Sequence, residues 1–139
     1  MDNQPIGVCV ITINKDKKIL LGKRKNSYKA GMYGLPGGRL DLNESLVGCV
    51  ERELLEETGL AGQNFKYIGV VREKQQGYNF IHFAFSCNDF KGEPKVVEKE
   101  KCESWDWYSL DNLPKEILPG HKAAIDIFIN PLSSFAELL

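Results

Sequence analysis

Glu53, Glu56 and Glu57 crowd together near the end of a stretch, Glu44 to Thr58, that holds no proline, one interior glycine and apolar residues at helical spacing. Gly59 supplies the usual helix stop. At about 100° per residue, Leu46, Val47, Val50 and Leu54 fall in one arc of roughly 100°, the width of a core-facing stripe, so all four are predicted to be buried. Glu57 lies at the margin of that arc, with Glu53 and Glu56 just beyond it. This placement is unfavourable. Glu53 and Glu57 repel each other as an i,i+4 pair, and acids in a last helical turn face the negative dipole end at a cost of about 0.3 to 1 kcal/mol. Only Arg52 offers local compensation. A solvated acidic face is the ordinary reading of a Glu-rich helix, but a hard divalent cation corrects every one of these faults. Carboxylates suit Mg2+, with Mn2+ an alternative, and such ions keep several waters and bridge to substrate phosphates.

The elements that must position these acids lie on both sides. Pro36-Gly37-Gly38 interrupts regular structure just before the helix. Ile6 to Ile13 is apolar on both faces and is predicted as a central strand. Asn14 to Lys17 is a turn, and Lys18 to Arg24 is predicted to return as the second strand of a hairpin. Lys23, Arg24, Lys25 and Lys29 cluster before the glycines. Lys23 and Arg24, at a strand end, are the candidates to face substrate phosphates. Asn26 to Met32 reads as a polar loop able to close over a ligand.

Beyond the acidic helix, Phe65 to Arg72 and Tyr78 to Ser86 form a hairpin around Gln75-Gln76-Gly77. Its aromatics read mainly as core, with base stacking the alternative for Tyr78, Phe80 or Phe83, and His82 reads as a satisfied strand histidine. Asp89 to Lys101 is a loop or edge, since Pro94 cannot serve a central strand. Trp105 to Tyr108 is a strand. His121 to Asn130 is an amphipathic helix with Ala124, Ile127 and Phe128 inward, entered at Gly120 and ended by Pro131.

Gly38, five residues, Glu44, seven residues, then Arg52-Glu53-Leu54-Leu55-Glu56-Glu57-Thr58-Gly59-Leu60 resembles the Nudix box, with every defining position filled. Leu20 to Arg24, Leu35 to Gly38 and Glu100 to Trp107 extend the resemblance, which is to the MutT-like branch of the family. The resemblance implies an α/β fold in which a mixed β-sheet is sandwiched between helices (α/β/α), and a pyrophosphohydrolase activity. It implies that Glu53, Glu56 and Glu57, with the backbone carbonyl of Gly38, hold Mg2+, and that Leu35, Pro36 and Gly37 belong to the substrate loop. Arg52 is expected to orient a box carboxylate. Glu44 is expected to favour the positive start of the helix and to brace the loop before it. The family also implies a further water-activating base, either Glu53 or a loop glutamate; Glu100 is preferred, with Glu98 and Glu103 left open. Gly48 departs from the alanine common in the family helix and is expected to soften it by somewhat under about 1 kcal/mol.

The chain has 139 residues and a net charge of -1, which suits one domain over 1–139 and gives no electrostatic footprint for long nucleic acids. Cys9, Cys49, Cys87 and Cys102 form no C-x-x-C pair, and the sequence shows no leader or long apolar span, so a reduced, cytoplasmic protein without membrane contact is expected. Family members that cleave ADP-ribose carry a proline soon after the box, whereas the first one after Leu60 here is Pro94. The substrate expected is therefore a (deoxy)nucleoside triphosphate, normal or modified, cleaved to a monophosphate and pyrophosphate. The alternatives are a nucleotide sugar, a dinucleotide, or nucleotide binding by a non-catalytic regulatory module. A homodimer is compatible with the resemblance, through an apolar tail at Phe135 to Leu139 that could equally fray.

Overall fold

The computed structural model describes residues 5–26, 29–75 and 77–139. Met1 to Gln4, Ser27 and Tyr28 in the basic loop, and Gln76 at the hairpin tip lie outside the described residues. Strand β1 (Ile6–Thr12) alternates strictly in what it packs against. Val8 and Val10 join Cys49, Val50 and Leu54 of helix α1 (Leu46–Thr58) in one core. Cys9 and Ile11 join Ala123, Ala124, Ile125 and Ile127 of helix α2 (Pro119–Ile129) in the other. A strand whose apolar side chains enter two cores in turn thus separates two helices, as a doubly covered strand should. The architecture is the expected α/β sandwich.

The main sheet is mixed, in the order β10 (Phe135–Leu138), β6 (Lys66–Gln75), β7 (Tyr78–Cys87), β1 and β4 (Gly37–Arg39). β6 and β7 form the expected antiparallel hairpin, with Gln75 opposite Tyr78 and Gly77 at φ 79°. A second, three-stranded sheet runs β3 (Tyr33–Gly34), β2 (Lys18–Arg24), β9 (Cys102–Ser109), and β5 (Ala61–Gln63) pairs with β8 (Asp89–Lys91).

Four expectations change. First, β1 and β2 do not continue as a hairpin. One bridge, Ile13 to Ile19, closes the turn, and β2 then diverges to pair with β3 and β9. The reason is that β2 is apolar on both faces as well, with Leu20 in the α1 core and Ile19 and Leu21 in the α2 core. It therefore spans both cores in its own sheet. Secondly, Gly37 and Gly38 lie within a short strand, opposite Cys9 and Val8, where a Cβ on Gly37 would strike the Val8 and Cys9 backbone. Thirdly, Val47 is 47% exposed and Cys49 takes its place in the buried stripe. Fourthly, Phe135 to Leu138 neither frays nor stands apart; it extends the sheet in parallel with β6.

Candidate active site

Helix α1 starts two residues later than the sequence suggests. Ser45 is its N-cap, with Oγ accepting from Gly48 N–H at 2.9 Å. A Cβ on Gly48 would stand 3.0 Å from that Oγ, so the glycine belongs to the cap. Glu44 thereby lies just before the cap, outside the helix. Its carboxylate instead accepts from Asp41 N–H at 2.9 Å and from Arg52 Nε and Nη2 at 2.6 and 2.9 Å. That two-pronged grip, with the backbone bond behind it, holds the Glu44 carboxyl down at about 2.

Arg52 spends its remaining N–H groups on the acids around it. Nη1 donates to Glu53 Oε1 at 2.8 Å and more weakly to Glu56 Oε2 at 3.3 Å, and Nη2 donates to the Arg39 carbonyl at 3.2 Å. The i,i+4 contact with Glu56 is thus the minor one. Hydrogen bonding to Glu44 raises the guanidinium pKa further, so Arg52 is a fixed positive hub.

Glu53, Glu56 and Glu57 converge with Glu98 on one cleft of about 490 Å³. Burial raises the pKa of Glu53 against the pull of Arg52. Burial likewise pushes Glu57 up to about 8, with Glu53 and Glu98 adding repulsion and the Gly37 N–H, 2.7 Å from its Oε1, opposing. Trp105 Nε1 donates to the Glu57 carbonyl at 3.1 Å and ties the helix end to β9. Gly38 faces the Glu53 carboxyl so closely that any Cβ would run into it. Among the described residues, no three His, Cys, Asp or Glu side chains are already drawn together as a ligand set. The donor chemistry nevertheless fits a hard divalent cation. The carboxylates bordering the cleft are crowded, partly desolvated and mutually repulsive, and a cation relieves each of those costs.

Lys23, Arg24, Leu35, Gly37 and Gly38 border the same cleft, whereas Pro36 is buried beneath it and uses its carbonyl to accept from Val10 N–H at 2.9 Å. Lys23 Nζ lies 3.8 Å from Glu103. Of the loop glutamates, Glu98 lines the cleft and is half-buried, with Lys101 Nζ 3.7 Å away. Glu100 is exposed and does not line the cleft, so the preference moves from Glu100 to Glu98. The reason is local: the chain turns at 99–101, and Lys101 and Cys102 N–H both donate to the Glu98 carbonyl, which points position 98 inward.

A second, larger pocket of about 710 Å³ was not foreseen. It shares Arg24 with the carboxylate cleft and is walled by Tyr78, Phe80, His82 and His121, with Glu73 at its base. Phe80 stacks on His82, ring centroids 5.7 Å apart. His82 and His121, far apart in sequence, lie 5.9 Å apart edge to face. His82 Nε2 is 3.2 Å from the buried Glu73, so the reading of a satisfied strand histidine holds. Of the base-stacking alternatives read from the sequence, Tyr78 and Phe80 line this pocket and Phe83 packs against the α1 core; the alternation in Tyr78-Asn79-Phe80-Ile81-His82 puts the first, third and fifth side chains on one face.

A fold of this kind, with a carboxylate-lined cleft at the end of α1, defines a hydrolase domain of Nudix type. The NUDIX domain profile matches residues 3–128, and the chain belongs to the NUDIX family. It is 36% identical over 105 residues to the ADP-ribose pyrophosphatase of Methanocaldococcus jannaschii, covering 74% of this chain and 61% of that one. It is 34% identical over 125 residues to a Bacillus subtilis (strain 168) protein named provisionally as an 8-oxo-dGTP diphosphatase, covering 89% and 79%. The crystal structure of a MutT NUDIX hydrolase from Burkholderia pseudomallei superposes with a TM-score of 0.85 at 33% identity, covering 90% of this chain and 98% of that one.

Proposed function

We propose that this Nudix hydrolase is a Mg2+-dependent pyrophosphohydrolase of a nucleoside triphosphate, normal or modified, releasing a monophosphate and pyrophosphate. The observation that carries the reading is the pairing of two sites across Arg24. A cleft bordered by Glu53, Glu56, Glu57 and Glu98 adjoins a larger pocket with an aromatic and imidazole wall, matching the two halves of a nucleotide.

Glu53, Glu56 and Glu57, with the Gly38 carbonyl, would hold the cation, and Glu98 is placed to assist. The bound ion would neutralise phosphate charge and acidify a water, the two requirements of anhydride hydrolysis. Arg52 holds Glu53 in one rotamer, so the carboxylate meets its partners without reordering. Arg24 and Lys23 are positioned to take charge that develops on the phosphate oxygens. Phe80 and His82 offer a stacked face to the base. Glu53 or Glu98 receives the proton from the attacking water.

The likeness to an ADP-ribose pyrophosphatase supports a second reading, a nucleoside diphosphate joined to a sugar, despite the lack of a proline soon after the box. One screen separates the two: chromatographic detection of the nucleoside monophosphate formed from nucleoside triphosphates, ADP-ribose, dinucleotides and nucleotide sugars with Mg2+ or Mn2+. Preference for a triphosphate is expected. Exclusive cleavage of ADP-ribose selects the second reading, and binding without any cleavage selects a regulatory module.

A further inference from the structure

His121 stands outside the carboxylate cleft, yet it touches the segment that closes it. Its ring helps to wall the larger pocket, and its Nδ1 accepts a hydrogen bond from Leu35 N–H at 2.9 Å. A backbone N–H can only donate, so Nδ1 is the acceptor and the ring proton of the neutral imidazole sits on Nε2. Burial, with His82 and Arg24 adding, holds the His121 pKa down at about 3, which keeps that lone pair available at neutral pH. Two residues beyond Leu35, Gly37 N–H donates to Glu57 at 2.7 Å. Between them Pro36 has a fixed φ and is pinned by Val10 N–H to its carbonyl at 2.9 Å. Gly34, just before this strap, would bring a Cβ to 3.0 Å from His121 Nδ1, so the approach is close on that side too.

We propose that His121 is a positioning residue: by gripping Leu35 N–H it sets the Leu35–Gly37 strap, and the strap then presents Gly37 N–H to the Glu57 carboxylate. A residue of the larger pocket is thereby built into the frame of the carboxylate cleft. The bland alternative is that the ring merely fills the pocket wall beside His82. The importance of Glu57 to catalysis rests on the function proposed above; the mechanical link does not.

Two substitutions separate ring from acceptor. His121→Phe keeps the ring and loses the acceptor, while His121→Asn loses the ring and keeps an amide oxygen near the Nδ1 position. Amide hydrogen exchange is followed by NMR in metal-free protein, with Ile11 and Val71 as mid-sheet references. In His121→Phe the Leu35 and Gly37 amides are expected to exchange at least about tenfold faster, with the references unchanged; in His121→Asn both stay within about threefold of wild type. Unchanged Gly37 exchange in His121→Phe overturns the proposal. So does faster exchange in His121→Asn alone, which assigns the ring the role.

With the preferred nucleotide, kcat of His121→Phe is expected to fall about tenfold with KM nearly constant, and His121→Asn to recover most of it. A change confined to KM marks a wall residue and overturns the proposal. If wild type cleaves no nucleotide the proposed function fails, and the exchange measurement still decides the role of His121. Should His121→Phe not fold, a protected strap in His121→Asn supports the link and an exposed one overturns it.

Discussion

Arg52 and Glu53 show how much one residue's surroundings decide. On a bare helix Arg52 has only Glu56 within reach, a contact worth about 0.3 to 0.5 kcal/mol; folded, it reaches back to Glu44 and sideways to Glu53. Glu53→Gln should lower kcat by about 100-fold or more while the circular-dichroism spectrum stays that of wild type. Undiminished hydrolysis with an intact spectrum would remove Glu53 from the mechanism. His121 gives a pH prediction. Its folded pKa of about 3 lies below the ordinary value of 6.5, so its contribution is fully present above about pH 6.5 and is lost as pH falls towards 3. Between pH 7 and 5 the unfolded chain takes up a proton that the folded chain refuses. In urea melts, lowering the pH from 7 to 5 should therefore cost wild type about 1 to 2 kcal/mol more than it costs His121→Asn, a difference from which the opposite effect of the raised Glu53 and Glu57 carboxyls cancels.

At the scale of the element, α1 is set by its cap and by the strand it faces. Ser45→Ala removes the hydrogen bond to Gly48 N–H and should cost about 1 kcal/mol by thermal or urea unfolding. The glycines of β4 make a sharper comparison. A methyl on Gly37 meets Val8 O and Cys9 Cα, backbone atoms that cannot move aside, so Gly37→Ala should destabilise by about 1 to 3 kcal/mol or more. The atoms nearest a methyl on Gly38 are those of the Glu53 carboxyl, the far end of a flexible side chain. Gly38→Ala should therefore keep its melting point within a few degrees and lose activity about tenfold or more. Equal effects of the two substitutions on stability would contradict this division. α1 is legible in helical periodicity, β1 in an unbroken apolar run, and the β6–β7 hairpin in two apolar stretches around a turn, because each is long enough to show its pattern. β3, β4 and β8 were not, since strands of two or three residues have no period and arise from pairing alone.

For the whole molecule, the proposed function divides the labour between the two pockets, and that division is measurable. Phe80→Ala removes a stacked face of the larger pocket and should raise KM about tenfold with kcat within about threefold, the opposite of Glu53→Gln. A fall in kcat alone would show that Phe80 acts on chemistry and not on binding. The sequence by itself determined the family and the acidic helix, because these are carried by residues close together along one element, where 3.6-residue geometry fixes who is near whom. The tertiary structure alone decided that Glu98 and not Glu100 enters the cleft, that β2 leaves its hairpin for a second sheet, and that His82, His121 and Glu73 wall one pocket. Each depends on contacts between segments distant in sequence, and no local spacing encodes which way a loop turns or which strands pair when several are equally apolar.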